Sequence, residues 1–217
     1  MPGQMIKASH INKEIRSRIS PILEAARFSI VNTRESWRYE REAISVLNIR
    51  AVGGHFSTVT GWPGQSLLCH IGIYFPFFPA QIEIKSDADS GKLLPPEAAC
   101  HLRLILNAGI AQTDYTRSLG NPAERKRTDI WWIDPAGANL VTAVTDLANS
   151  VRTQAIPFFD KFSSPIAALA EIQKERDCFE KFIRSFLIAK HIKHPDTANF
   201  RNLAKEEAQR IQIPFPY

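Results

Sequence analysis

Cysteine is scarce in this chain of 217 residues. The three present, Cys69, Cys100 and Cys178, are far apart and odd in number. Without a Cys-x-x-Cys spacing or a paired Cys/His pattern, neither a structural zinc site nor a disulfide framework is legible. Long apolar runs are missing as well. No stretch reaches the roughly 18 apolar residues that a bilayer span needs. The opening MPGQMIKASHINKEI lacks the apolar segment of a signal peptide. A reducing, cytoplasmic setting with no membrane partner is therefore expected. Charge of one sign is not concentrated either. The net charge is +5, with nine Lys/Arg against five Asp/Glu in residues 1–50, seven against seven in 51–130 and eleven against ten in 131–217. A nucleic-acid binder usually shows a basic stripe, so nucleic acid is not the expected partner.

Recognisable chemistry is absent too. There is no P-loop, no Gly-x-Gly-x-x-Gly, no Gly-x-Ser-x-Gly and no His-Glu-x-x-His. Asp87 and Asp89 in Asp-Ala-Asp-Ser-Gly begin like a calcium loop, but no later ligand completes one. No cofactor and no metal is expected. The one dense basic run, Arg125-Lys126-Arg127, follows Gly120-Asn121-Pro122 and reads as a solvated loop tip.

What is present suits a globular fold. Apolar residues make up 44% and charged residues 23%, with thirteen Phe and four Trp for a ring-rich core. The stretch Leu67 to Pro79, LLCHIGIYFPFFP, reads as the central strand. Its odd positions, Leu67, Cys69, Ile71, Ile73, Phe75 and Phe77, are all apolar, and its even positions carry His70, Gly72 and Tyr74. Successive strand side chains point to opposite faces, so the pattern predicts one dry face and one mixed face.

Around it the periodicities fall into blocks. Ile11, Ile15, Ile19, Ile22 and Leu23 predict a helix over Ile11 to Phe28, broken near Ser20-Pro21. Strands are predicted at Ser36–Glu40, Ala43–Val52 and Cys100–Leu106, with shorter ones at His55–Thr60, Gln81–Lys85 and Asp129–Asp134. On the Cys100–Leu106 strand, Cys100, Leu102, Leu104 and Leu106 share the apolar face. Helical spacing takes over from Leu140 and ends at Ile156-Pro157. It resumes from Ser164-Pro165 to about Arg176, across Phe179–Leu187, and at Asn199–Ile211. Strands clustered between helices predict an α+β fold rather than a βαβ alternation. The expectation is an antiparallel sheet of about five strands, preceded by an N-terminal helix and followed by C-terminal helices on one face, the other face partly open. Residues 1–162 form the α+β domain in this reading, and 163–217 a helical segment packed on it or on a second copy.

Several of these segments resemble a bacterial family catalogued as domain of unknown function 4304. The likeness lies in Trp37-Arg38-Tyr39, Val46-Leu47-Asn48-Ile49, His70-Ile71-Gly72-Ile73-Tyr74, Cys100-His101-Leu102-Arg103, Asp129-Ile130-Trp131-Trp132-Ile133 and Ile156-Pro157-Phe158-Phe159-Asp160, in that order. It spans roughly residues 11–161. Where the family usually carries Gln or a similar polar group after the Asn-bearing strand, this chain has Arg50 and Ala51. The resemblance implies a soluble bacterial protein and supplies no activity or catalytic residue.

The residues able to carry chemistry lie on the mixed faces of the strands. Asn48 and Arg50 share one parity, His70 and Tyr74 another, His101 and Arg103 a third, and Trp132 can join them. Arginine grips carboxylate or phosphate through two parallel N–H bonds, and histidine moves a proton near neutral pH. These seven are the candidate ligand-binding residues. The pattern alone is equally that of ordinary polar residues on a half-exposed sheet. Two functions follow from it. One is a non-enzymatic binding module that presents the sheet face to a protein or a small anionic ligand. The other is a small hydrolase or transferase working through His70, His101, Arg50 and Arg103. The helical Phe179, Phe182 and Phe186 are read as core, with a homodimer through the C-terminal helices as the alternative.

Overall fold

The computed structural model describes residues 5–79, 82–110 and 112–217, Thr113 by its backbone alone. The chain opens with α1 (Ala8–Arg18), which turns Ile11 and Ile15 inward, and α2 (Ser20–Ala25). Pro21 sits in the first turn of α2, where its missing N–H has no helical partner to lose. The break falls near Ser20-Pro21 as the sequence predicts, with Ile19 as the N-cap residue.

Three strands and a correction follow. Strands β2 (Glu35–Tyr39) and β3 (Ile44–Ala51) lie close to their predicted places, and they are preceded by a two-residue strand that was not predicted, β1 (Ile30–Val31). The predicted strand at His55–Thr60 is instead helix α3 (Gly54–Thr60). Gly53 and Gly61 bracket it at φ 81° and 84°, a left-handed backbone that glycine adopts without strain. The Thr58 and Thr60 hydroxyls donate to the carbonyls four residues earlier, Gly54 at 3.0 Å and Phe56 at 2.7 Å. Local bonds of this kind satisfy polar groups that an isolated strand would leave open.

The central strand, β4 (Leu67–Tyr74), stops short of Pro76 rather than running to Pro79, and the chain turns with Phe78 N–H on the Phe75 carbonyl. Of the predicted edge strand, Gln81 lies outside the described residues. Lys85 belongs to β5 (Lys85–Ser86), which pairs only with β6 (Leu93–Leu94) in a separate two-stranded ribbon. Then comes β7 (Leu102–Ile105), and the long connection after it holds the short turns α4 (Thr113–Thr116) and α5 (Pro122–Arg125).

Asp129–Asp134 is not a strand. Its only ladder contact among the described residues is a bridge between Trp131 and Leu67. Side chains take up most of the remaining backbone groups. Gln112 accepts from Trp132 N–H and donates to the Ile130 carbonyl. Asn139 accepts from Asp134 N–H and donates to the Trp132 carbonyl, and Ser66 Oγ accepts from Ile133 N–H. A buried extended segment needs its bonds satisfied, but not by another strand.

Helix α6 (Leu140–Ser150) does not end at Pro157. It passes through a π-helical turn, Val151–Ala155, into α7 (Ile156–Phe162). An i→i+5 turn widens the helix just where proline would lose a bond and collide with the carbonyl four residues back. Helices α8 (Pro165–Ile172), α9 (Phe179–His191) and α10 (Thr197–Arg210) complete the chain. Of these, α8 stops four residues before the predicted Arg176, and Ser164 caps it by position without a side-chain bond.

The sheet is five-stranded and antiparallel in the order β1-β2-β3-β4-β7, so the fold is α+β. Leu67, Cys69, Ile71, Ile73 and the following Phe75 are all at most 0% exposed and form one continuous core with residues of α1, α2 and α6 to α10. The C-terminal helices bury their apolar sides in this same core: Ile183, Phe186, Leu187, Phe200 and Ala204 belong to it, and Phe215 and Tyr217 pack against it. Burying each large apolar side chain contributes about 1.5–3 kcal/mol, so this face dominates the stability. No helix among the described residues is long and apolar enough to cross a membrane.

The opposite face is partly covered. Trp37, Ile44, Val46, Tyr74 and Cys100 form a second small cluster, and Trp62, Leu119, Ile130 and Trp132 a third under the loops. Trp37 Nε1 donates to the Pro95 carbonyl at 2.9 Å and the Tyr39 hydroxyl to Leu93 at 2.8 Å. These two rings pin the 93–96 segment across the sheet, and that segment delivers the residue on which the polar face turns.

Candidate functional site

That residue is Glu97. It follows Pro95-Pro96, whose restricted backbone carries the chain extended into a single 3-10 turn, Glu97–Ala99, closed by Cys100 N–H on the Glu97 carbonyl. The Glu97 side chain is only 1% exposed. Arg103 Nε donates to its Oε1 at 2.5 Å and Arg50 Nη2 to its Oε2 at 3.2 Å. His70 Nδ1 lies 3.6 Å from Oε2, within ion-pair range but too far for a hydrogen bond. Burial on its own would raise the Glu97 carboxyl. The His70 and Arg103 contacts outweigh it and hold the group down at about 2. Contact with Glu97 likewise raises the Arg103 guanidinium above its ordinary value.

The strand register assembles the rest. Glu35 stands opposite Asn48, Asn48 opposite His70, and Gly72 opposite Arg103, so all share the second face. Asn48 Nδ2 donates to Glu35 Oε1 at 2.6 Å, and Arg50 Nε donates to Asn48 Oδ1 at 2.7 Å. A polar chain thus runs Glu35–Asn48–Arg50–Glu97–Arg103 across β2, β3 and β7. The Arg50 and Arg103 side chains remain 47% and 49% exposed. Arg50 Nη1 and both terminal nitrogens of Arg103 have no protein partner among the described residues. Four of the seven sequence candidates, Asn48, Arg50, His70 and Arg103, therefore converge.

The other three do not join them. Tyr74 lies four residues from His70, roughly 13 Å along β4. There its ring stacks on His101 with centroids 5.1 Å apart. His101 is walled in by rings, with Phe78 at 3.9 Å and Phe75 at 6.1 Å, and its Nδ1 accepts the Phe75 N–H at 3.0 Å. Burial first, and then the nearby charge of Arg184, lowers its pKa to about 4, so the ring is neutral at pH 7. With Nδ1 accepting, the proton of the neutral ring is on Nε2. Trp132 belongs to the third cluster, 5.5 Å from Trp62, beneath α3 to α5.

A further expectation changes at this end of the sheet. Cys100 was expected on the core face of its strand, but it precedes β7 and turns into the second cluster. There it fills the space over Gly72, between His70 and Tyr74: a Cβ on Gly72 would lie 2.4 Å from Cys100 Cβ and 2.9 Å from the Leu102 carbonyl. Cys100 itself is no nucleophile, because burial pushes its thiol far above the ordinary value.

Glu97 itself was missed by sequence reasoning. It lies in a non-periodic loop where burial has no pattern, and its only cue is an acidic residue directly after two prolines. A groove of about 780 Å³ between α1–α2 and α6 is lined by none of the candidates. No group of His, Cys, Asp or Glu suited to a metal ion occurs among the described residues. The site and fold together define an α+β protein with an arginine pair anchored on a buried carboxylate. Comparison with protein-family models, curated proteins and solved structures found no match for the chain.

Proposed function

We propose that the protein is a binding module rather than an enzyme, and that Arg50 and Arg103 take a carboxylate or phosphate group of a small ligand or a partner protein. One observation carries the reading: two half-exposed guanidiniums share one buried carboxylate, and Arg50 Nη1 and both terminal nitrogens of Arg103 have no partner among the described residues. Side chains held in this way lose little further entropy on binding, and a charged acceptor makes the stronger class of hydrogen bond. The catalytic alternative needs His70 and His101 within reach of one substrate atom. His101 stacks on Tyr74, four residues along β4 from His70, and this separation and its ring-walled neutral state count against the alternative. A bacterial, cytoplasmic protein suits the resemblance to domain of unknown function 4304, which carries no activity of its own.

The test is a thermal-shift titration with phosphate and with acetate at constant ionic strength. Stabilisation that is lost in both Arg50→Ala and Arg103→Ala supports the reading. No shift in the parent protein, or a shift equal in all three, removes it.

A further inference from the structure

Arg103 also forms part of a second feature. Between the Glu97–Ala99 turn, the start of β7 and helix α9 lies a cleft of about 550 Å³. This is within the range of pre-formed small-molecule sites. Its walls are apolar, with Phe78, Ile82, Phe179, Ile183 and Leu187 among them, and Tyr217 closes one side. Its polar lining is one-sided. The two terminal nitrogens of Arg103, the Tyr74 hydroxyl and His101 Nε2–H are hydrogen-bond donors with no protein partner among the described residues. Arg103 is half exposed, and all three residues line the cleft.

The acceptors that line the cleft are otherwise engaged or peripheral. Glu175 is held by both Nη atoms of Arg184, with Nη1 at 3.1 Å, and Arg184 Nη1 also donates to the His101 carbonyl at 2.7 Å. Glu180 is exposed at the rim.

We propose that this cleft binds an amphipathic monocarboxylate, its apolar body against α9 and its carboxylate on Arg103, with Tyr74 and His101 as further donors. The inference rests on the anion-binding reading of Arg103 and names its ligand class. A monoanion fits better than phosphate because one positive charge is left over: Arg103 and Arg50 share Glu97, and Arg184 is paired with Glu175. What remains is a set of donors beside an apolar wall.

Isothermal titration with octanoate, acetate, phosphate and octylamine at pH 7 tests this. Each buried methylene contributes roughly fourfold in affinity, so octanoate should exceed acetate by on the order of 100-fold even when its chain is only partly buried. Arg103→Gln should weaken octanoate about tenfold or more. Because that change also touches Glu97, a second variant keeps the test independent of the ion pair. Ile82 is 50% exposed on the cleft wall, and Ile82→Asp places a carboxylate there without disturbing the core. It should weaken octanoate by a similar factor and leave acetate unchanged. Octanoate no tighter than acetate, with Ile82→Asp silent, overturns the cleft proposal while the Arg50–Arg103 reading stands. Tighter binding of octylamine than of octanoate also overturns it. If neither phosphate nor any carboxylate binds, the proposed function falls with it.

Discussion

The two faces of the sheet are built by different rules. On the helix-covered face, Leu67, Cys69, Ile71 and Ile73 are fully buried and held by bulk and parity alone. On the other face, Arg50 and Arg103 are held by a residue from outside the sheet, Glu97, with His70 beside it and Asn48 bonded to Arg50, and two aromatic hydrogen bonds place Glu97 there through the 93–96 segment. The difference is one of redundancy. A dry face spreads its energy over many contacts, whereas a polar face depends on a few atoms in register. Substitutions should separate the two.

The largest effect is expected at Ile71, which is 0% exposed at the centre of the core face. Ile71→Ala should destabilise by about 4 kcal/mol, read from urea unfolding with an unchanged slope, since large-to-small changes in packed cores cost about 2–5 kcal/mol. A loss below about 1 kcal/mol would mean that the core face can collapse around the gap. Next comes Gly72, one residue along and on the other face. Gly72→Ala should cost about 3 kcal/mol, because the new methyl meets Cys100 Cβ and the Leu102 carbonyl, and backbone cannot rotate away. The double variant Gly72→Ala/Cys100→Gly should recover part of that loss. No recovery would show that the carbonyl contact alone sets the limit.

That contrast also explains what was legible in the sequence. The fold class, the sheet core and the helices after Leu140 were readable because burial follows a period of two or of 3.6 residues. The convergence of Asn48, Arg50, His70 and Arg103 followed from parity too, once β3, β4 and β7 were adjacent. The chain is irregular at Cys100 and His101, so counting from Leu102 places Cys100 on the wrong face, and His101 sits among rings at the Tyr74 end rather than beside His70. The strand expected at Asp129–Asp134 failed for another reason. Its bonds go to the side chains of Gln112, Asn139 and Ser66, which are far from it in the sequence or carry no periodic signal. Glu97 was hidden in the same way: a buried carboxylate in a loop is defined by partners that only the tertiary structure brings.

Acid should unfold the polar end of the sheet in two separable steps. His101 is depressed to about 4 from an ordinary 6.5, so its contribution is fully present above about 6.5 and is lost as pH falls towards 4. Its share is on the order of 2 kcal/mol. Glu97 is depressed to about 2 from 4.5, so its contribution holds above 4.5 and is lost only as pH falls from there towards 2. Urea unfolding at closely spaced pH values should show both windows. His101→Phe should flatten the upper one alone, and Glu97→Gln the lower one alone. A variant that flattened both would show that the ring-walled histidine and the arginine cluster titrate as one unit.

The smallest effect is the one that bears most on function. Arg50 is 47% exposed and reaches Glu97 at 3.2 Å, while Arg103 holds the other oxygen. Exposed ion pairs contribute roughly 0–1 kcal/mol, since water competes for the charge. Arg50→Ala should therefore cost less than about 1 kcal/mol, and its coupling with Glu97→Gln in a double-mutant cycle should be about 0.5 kcal/mol. A coupling above about 2 kcal/mol would make the cluster a structural lock, its arginines committed to holding the 93–96 segment on the sheet. A weak coupling leaves Arg50 positioned yet inexpensive to redirect, which is the condition for handing its N–H groups to an incoming anion. The arginine that matters little for folding is then the one that should matter for binding.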